Sequence, residues 1–388
     1  MKSFQFLFLF ILLSSNLVYA QSTYIPDDNF EQHFINLGYD SILDNYINKT
    51  SIDTIINLNI DFKNINSLKG IEDFNNLKII SCIGNNLDSL DLSSNMFLED
   101  VYCNLNNINY LFTNGLLYLK HLECWSNQIT ELDVSSNLSL QYLNIQANNL
   151  NNLILNNDSL KYLNCEDNQL FNLNIDNIKQ IEELNVRYNY LSALDLSNNN
   201  KLYWLDCELN QLTSINLNTN TELYFLDCES NNINSINLNN NLKLHRLDLE
   251  NNQISSIDLS NNINLTSLDL EQNLIDSLTL SNNPIQELGC DKNLNLVYLD
   301  LRNGNNHNIT DIVIKDNPNL NCINVDDPSY SSLNWTYANG SIDSHHFFSS
   351  NCQINSIFEY KTSKKNYFKY DLLGRKTSEN IFKNIIIK

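Results

Sequence analysis

Four Asp-x-Glu pairs recur about 21 residues apart: Asp206 with Glu208, Asp227 with Glu229, Asp248 with Glu250, and Asp269 with Glu271. Paired carboxylates can act as acid and base, bind a divalent cation, or receive a basic partner. Acid–base work needs a cleft that drives two pKa values apart. An evenly repeated row of pairs on a flat sheet provides none, which leaves cation binding and recognition. The column just before the second leucine of the repeated frame includes aromatic residues. Tyr142, Tyr162, Trp204 and Phe225 fall in this phase and form an expected aromatic strip beside the acids. A face that served only solubility would not need exposed aromatics. The plainer reading is a solvated acidic face in a generally acidic chain.

Other reactive residues offer less. His121 and Cys124 lie close in sequence, but alternation points one out and the other in, so no nucleophile–base pair is expected. Seven cysteines (Cys82, Cys103, Cys124, Cys165, Cys207, Cys228, Cys290) occupy one inward slot, filled elsewhere by Ile145, Val186, Leu249 and Leu270. Exchange with aliphatics marks them as free, buried thiols. One cysteine per rung builds no tetrahedral metal cluster. His345-His346 is a lone pair with no partner in the sequence pattern. There is no glycine-rich phosphate loop.

The acids are held in phase by asparagines: Asn85, Asn106, Asn127, Asn148, Asn168, Asn189, Asn210, Asn231, Asn252, Asn273 and Asn293. Each follows the frame Leu-x-x-Leu-x-Cys-x-x-Asn. A period of 20–22 residues means stacked coils. A carboxamide both donates and accepts, so it can bridge backbone groups of two coils where the chain turns off a sheet. Each repeat has two halves with period-2 alternation. The first reads as a parallel strand. The second, Leu-Asp-Leu-Ser-x-Asn as at Leu194 to Asn199, reads as a shorter extended arm on the opposite side. The expected fold is a β-rich solenoid of about 11–13 repeats, with a parallel sheet on one face.

Around that stack, the chain divides into five parts. Residues 1–20 read as a signal peptide: Lys2, an apolar run from Phe4 to Leu13, and Val18-Tyr19-Ala20 before the cut. Residues 21–53 form an N-terminal cap, whose helix is capped by Asp27 or Asp28 and stopped by Gly38. Residues 54–325 are the solenoid, although the spacing leaves open which side Leu299 and Leu301 join. Residues 326–352 form a C-terminal cap, with Cys322 and Cys352 expected to pair in an exported chain. Residues 353–388 form a basic tail, and within it residues 361–388 hold eight Lys and Arg against Asp371 and Glu379. The net charge of −22 argues against nucleic acid. After signal removal no run is long enough to span a membrane.

The frame Leu-x-x-Leu-x-Cys-x-x-Asn-x-Leu resembles leucine-rich repeats over roughly residues 54–325. Tyr24-Ile-Pro-Asp-Asp-Asn-Phe and Asn317-Pro-Asn-Leu-Asn-Cys-Ile look like the opening and closing segments of secreted leucine-rich repeat proteins of Bacteroidetes, comparable with internalins. Tyr370-Asp-Leu-Leu-Gly-Arg-Lys376 is similar to a type IX secretion sorting domain, shorter than the usual pattern. The resemblance implies a Gram-negative bacterium, export to the surface or medium, and contact between the tail and the type IX machinery. The reading is a monomeric, non-enzymatic protein that presents the strip and Asp206, Glu208, Asp227, Glu229, Asp248 and Glu250 to an extracellular protein or glycan in adhesion or recognition. No cofactor is required. The alternative is a structural surface component stiffened by Ca²⁺, with no metal ligand set assigned.

Overall fold

The computed structural model describes residues 21–352 and the backbone of a short antiparallel pair, Glu359–Tyr360 with Phe368–Lys369. The expectations for the leader and for the rest of the basic tail fall outside the described residues.

Each frame places one apolar residue at the centre of a three-residue strand, with polar or aromatic residues on either side. Thirteen such strands, from Asn57–Asn59 to Asp311–Val313, form one parallel sheet, the front of the solenoid. Register is uniform: Trp204 pairs with Phe225, Leu205 with Leu226, and Asp206 with Asp227. Central leucines and slot cysteines point inward, and Leu205, Cys207, Leu226 and Cys228 have no exposure. Burial keeps the thiols protonated, pushing Cys165 and Cys290 up to about 12.

Just past each strand the backbone turns with positive φ, as at Ala147 (53°), Leu209 (52°) and Ser230 (53°). This left-handed conformation costs an L-residue about 1–2 kcal/mol. The asparagine that follows offsets it. Asn231 Nδ2 donates to the carbonyls of Cys207 (3.0 Å) and Cys228 (3.1 Å), and its Oδ1 accepts from Leu212 N (2.9 Å). One carboxamide therefore joins two coils through three backbone groups. The pattern repeats from Asn85 to Asn293 and extends to Asn317, which bonds to Cys290 O (3.0 Å) and accepts from Asn293 N (2.9 Å). Asn317 escaped the sequence series because its interval is 24 residues.

A second ladder runs along the back, through the asparagine that ends each Leu-Asp-Leu-Ser-x-Asn arm. Asn241 Nδ2 donates to Leu217 O (3.2 Å) and Asn220 O (2.8 Å). Those carbonyls also accept Asn220 N and Leu223 N. The Oδ1 atoms of Asn199, Asn220, Asn241, Asn262 and Asn283 are buried and without a partner. At Asn137 the partner exists, because Thr113 stands where other coils carry an aliphatic and its Oγ1 donates at 3.0 Å.

The back is paired only in places. Ser89–Asp91 joins Tyr110–Phe112, and Glu131–Asp133 joins Asn152–Ile154. A four-stranded sheet links Ser277–Thr279, Tyr298–Asp300, Cys322–Asn324 and Phe347–Ser349. Tyr298–Asp300 settles the open question: Leu299 and Leu301 belong to the back. The arms Leu194–Leu196, Ile215–Leu217 and Ile236–Leu238 form no strand, and side-chain amides hold their register.

Both ends are covered. Helix α1 (Asp28–Asn36) is capped by Asp27, whose carboxylate accepts from Asn29 N and Phe30 N, and Gly38 at φ 78° follows its end. Its Phe30 and Phe34 pack on Phe74. At the other end, a helix over Pro328–Asn334 leads to Trp335, which packs on Phe348. Cys322 and Cys352 form a disulfide with Cα atoms 5.8 Å apart. It closes a 30-residue separation, worth about 3–4 kcal/mol on the chain-entropy model.

The two ladders differ in what they leave behind. Asn231→Ala would strand one buried amide, Leu212 N, while Cys207 O and Cys228 O keep their bonds from Asn210 and Asn252, and should cost about 2–4 kcal/mol, whereas Asn241→Ala strands no amide, leaves only carbonyls that keep a second partner, and should cost about 1 kcal/mol. Denaturant unfolding of the two variants checks this, and equal losses would refute it.

Candidate functional site

The front sheet brings the sequence-selected residues onto one face. Parallel in-register strands place equivalent side chains about 4.8 Å apart along the stack, and three outward columns result. The residue before each central leucine gives His121, Tyr142, Tyr162, Glu183, Trp204, Phe225 and Arg246. The residue after it gives Asp206, Asp227, Asp248 and Asp269. The position after the inward slot gives Glu208, Glu229, Glu250 and Glu271.

The aromatic column is two stacks rather than one strip. His121, Tyr142 and Tyr162 lie nearly parallel, with successive ring centroids 4.2 Å apart. Trp204 and Phe225 stack at 4.9 Å, and the guanidinium of Arg246 covers the far face of Phe225 at 5.6 Å. Glu183 separates the stacks. Rings stacked along the axis cover each other's faces and present edges to solvent. The interior rings are therefore a poor platform for a sugar ring, which needs an aromatic face.

The acidic columns are far less solvated than a free acidic face. Asp206, Glu208 and Asp227 are only 8, 6 and 9% exposed, because equivalent side chains one coil apart shield one another. Each aspartate folds back on its own strand. Asp206 Oδ1 accepts from Glu208 N (3.1 Å), and Asp227, Asp248 and Asp269 accept likewise from Glu229, Glu250 and Glu271. Those bonds favour the charged form, but burial and like-charged neighbours outweigh them. Desolvation first, then neighbouring acids, push Asp227, Asp248 and Asp269 up to about 6, and Glu208 and Glu250 up to about 7. Ion pairs close the lattice at its ends, and Arg246 acts on Asp227 and Asp248 from the neighbouring column. Arg187 Nε lies 2.9 Å from Glu208 Oε2, and Lys292 bonds to Glu271. Around Asp248, Asp269, Glu271, Asp291 and Lys292 the face forms a depression of about 390 Å³. Gly289 stands there where other coils carry an aspartate. A Cβ on it would come within 2.5 Å of Asp269 Oδ2, so the glycine gives that carboxylate its room.

Two groups of carboxylate oxygens converge within 4.8 Å: Asp206, Glu208 and Asp227, and Asp227, Glu229 and Asp248. These are the residues that could hold a hard cation. Asp343, His345 and His346 also lie near one another, but Asp343 N donates to His346 Nδ1 and His346 Nε2 lies 3.4 Å from Asn317 O, so this histidine fastens the cap. His121 and Cys124 point to opposite sides, as alternation requires. The sequence reading passed over His121 as a stacking member, Glu183 as a break, and Arg187, Arg246 and Lys292 as terminal cations. The first four hold the same columns, so reading those columns to their ends would have found them, whereas Lys292 holds the left-handed position that follows.

Similar architectures occur among solved structures. The functional domain of InlJ from Listeria monocytogenes, which includes a cysteine ladder, is 26% identical over 80% of this chain and 78% of its own, with a TM-score of 0.57. A TDR receptor is 20% identical over 71% of this chain and 52% of its own (TM-score 0.59), and the leucine-rich effector YopM from Yersinia pestis is 20% identical over 70% and 76% (TM-score 0.50). No family model and no curated protein matches the chain. The fold is a leucine-rich repeat solenoid. In this leucine-rich repeat stack, the inward cysteine column parallels the ladder in InlJ, and Cys207 and Cys228 place their sulfurs 3.1 Å apart. No helix among the described residues is long and apolar enough to cross a membrane.

The lattice makes stability depend on pH in a definite direction. An acid whose folded pKa is raised binds more protons folded than unfolded between its unfolded value, near 4, and its folded value, here about 6 to 7. Stability then falls as pH rises through that window and levels off above it. Asp227→Asn with Asp248→Asn should raise the melting temperature at pH 8 by several degrees and have little effect at pH 4.5. Calorimetry at the two pH values checks this, and an equal shift at both would overturn it.

Proposed function

We propose that the chain is an exported, non-enzymatic binding protein whose front face receives a basic region of an extracellular protein or a glycan-bearing partner. The carrying observation is a row of mutually shielded carboxylates, Asp206 to Asp269 and Glu208 to Glu271, that is ion-paired at its ends by Arg187 and Lys292. Such a row is a store of repulsion that a cationic surface relieves, which gives specificity and a fast approach. The neighbouring Trp204 and Phe225 supply the aromatic component common in interface centres. The likeness in fold to a TDR receptor accords with binding. The leader and the basic tail fit export, with the tail addressing the type IX machinery and attachment or release following.

A partner captured from the native medium by the full mature chain identifies the ligand. The variant Asp227→Asn/Asp248→Asn should lose at least tenfold in affinity for it, and Trp204→Ala/Phe225→Ala a similar amount, with melting temperatures not lowered by the aspartate changes. Affinity of the wild type should fall steeply between about 0.05 and 0.5 M salt. Affinity untouched by both variants would end this reading.

The convergence of oxygens at Asp206, Glu208 and Asp227 favours a second reading, in which Ca²⁺ stiffens the stack and the face has no specific partner. A rise in melting temperature of ten degrees or more with millimolar Ca²⁺, abolished by Asp227→Asn, would support it over the first. No rise would remove it.

A further inference from the structure

One coil of the acidic face is cut back twice. In register with Asp269, where the four preceding coils carry aspartate, it has Gly289. Beyond the inward slot, where those coils carry glutamate, it has Asp291, one methylene shorter. The next coil supplies Val313 and Lys315 at these two positions. Gly289 and Asp291 both line the depression of about 390 Å³, so the space follows from two neighbouring truncations.

Asp291 is the unusual group in its wall. It is only 2% exposed, yet its carboxylate accepts no hydrogen bond from any other described residue. Lys292 Nζ stands 3.8 Å away, beyond hydrogen-bond reach, and is bonded to Glu271. Lys315 acts on Asp291 from the next coil without forming an ion pair. Buried carboxylates are normally hydrogen-bonded, and this one has the depression in front of it. Burial first, then Glu271, push it up to about 6. The free oxygen of Asp269, Oδ2, is the atom to which Gly289 gives room.

The lining selects among cations. Six carboxylates face three basic side chains, an excess of three negative charges. Asp269, Glu271 and Asp291 do not converge as the triads around Asp227 do, so the depression suits a cation larger than a bare metal ion. No aromatic ring lines it, so a guanidinium plane has nothing to stack on. An ammonium is a compact charge with three donors that can turn toward carboxylates set apart from one another, and its alkyl stem can lie over the bare backbone of Gly289.

We infer that the depression over Gly289 receives the primary ammonium of one lysine of the partner, which donates to Asp291 and Asp269. This rests on the recognition-face reading and deepens it: one lysine is seated at a fixed coil, and the acidic columns before it take the basic residues beside it.

The test uses the full mature chain and short end-blocked peptides carrying a single lysine, arginine or Nε-acetyl-lysine. The readout is the backbone N–H signals of Gly289 and Val313 in NMR. The lysine peptide should shift them saturably, the arginine peptide should bind at least threefold more weakly, and the acetyl-lysine peptide should leave them unmoved. Asp291→Asn should weaken lysine binding at least fivefold without lowering the melting temperature. Gly289→Ala, which fills the depression, should weaken it by as much, read at Val313. Asp100→Asn, an acid removed near the other end of the same sheet, should have no effect. Unchanged binding by Asp291→Asn, or equal shifts with the acetyl-lysine peptide, would overturn the pocket. Tighter binding by butylamine than by the lysine peptide would overturn lysine as the occupant in favour of a free amine. A loss on Asp227→Asn as large as that on Asp291→Asn would overturn the pocket but leave the acidic recognition face standing. Failure of that face is read separately, from partner capture.

Discussion

The structure depends on a carboxamide that satisfies backbone groups of two coils at once. Wherever the chain leaves the front sheet, one amide and two carbonyls point inward with no strand partner. In water they would be solvated, but in the core each would cost about 1–3 kcal/mol. Asparagine is short enough to stay in the turn and carries both a donor and an acceptor. Glutamine would overreach, and aspartate could not donate. The left-handed residue before it, non-glycine at nearly every coil, is tolerated because the carboxamide fixes the turn. The spacing of the front columns follows from this bridge, since it sets coil on coil without slippage.

The acidic face can be understood as a by-product of that order. A uniform register places like side chains directly over one another, which disfavours charge and favours rings. The column before the leucines responds with stacked aromatics, and the two columns beyond carry carboxylates under strain. Those acids are held by their own backbone amides and, at the ends of the row, by Arg187 and Lys292, so the face folds with part of its repulsion unrelieved. Conflict of this kind, kept where packing does not require it, is where function is best sought.

Much of this was legible in the sequence because one coil repeats another. The Asn210 to Asn231 phase, the inward Cys207 and Cys228, and the outward Trp204 and Asp206 follow from spacing and alternation, and the Cys322–Cys352 bridge from the two cysteines standing outside the repeat in a chain expected to be exported. Three features did not. The side joined by Leu299 depends on loop lengths after Asn293, which a fixed period does not describe. The shielding of Glu208 and Asp227 arises between coils, and no single repeat contains it. The break at Glu183, between the stacks that end at Tyr162 and Trp204, shows only once the rings are seen to lie flat against their other neighbours.

The back ladder bears on how such a chain changes length. The bonds that Asn241 and Asn231 send to the preceding coil each span a fixed count of residues. Duplication or loss of one whole coil in the gene would therefore leave each kind of contact intact, while a single inserted codon inside a coil would put both ladders out of step. The 24-residue stride to Asn317 shows that extra residues are absorbed in a loop, between bonded positions. Growth by entire units is thus the inexpensive route for this architecture, and a face with a longer or shorter acidic run lies one recombination event away.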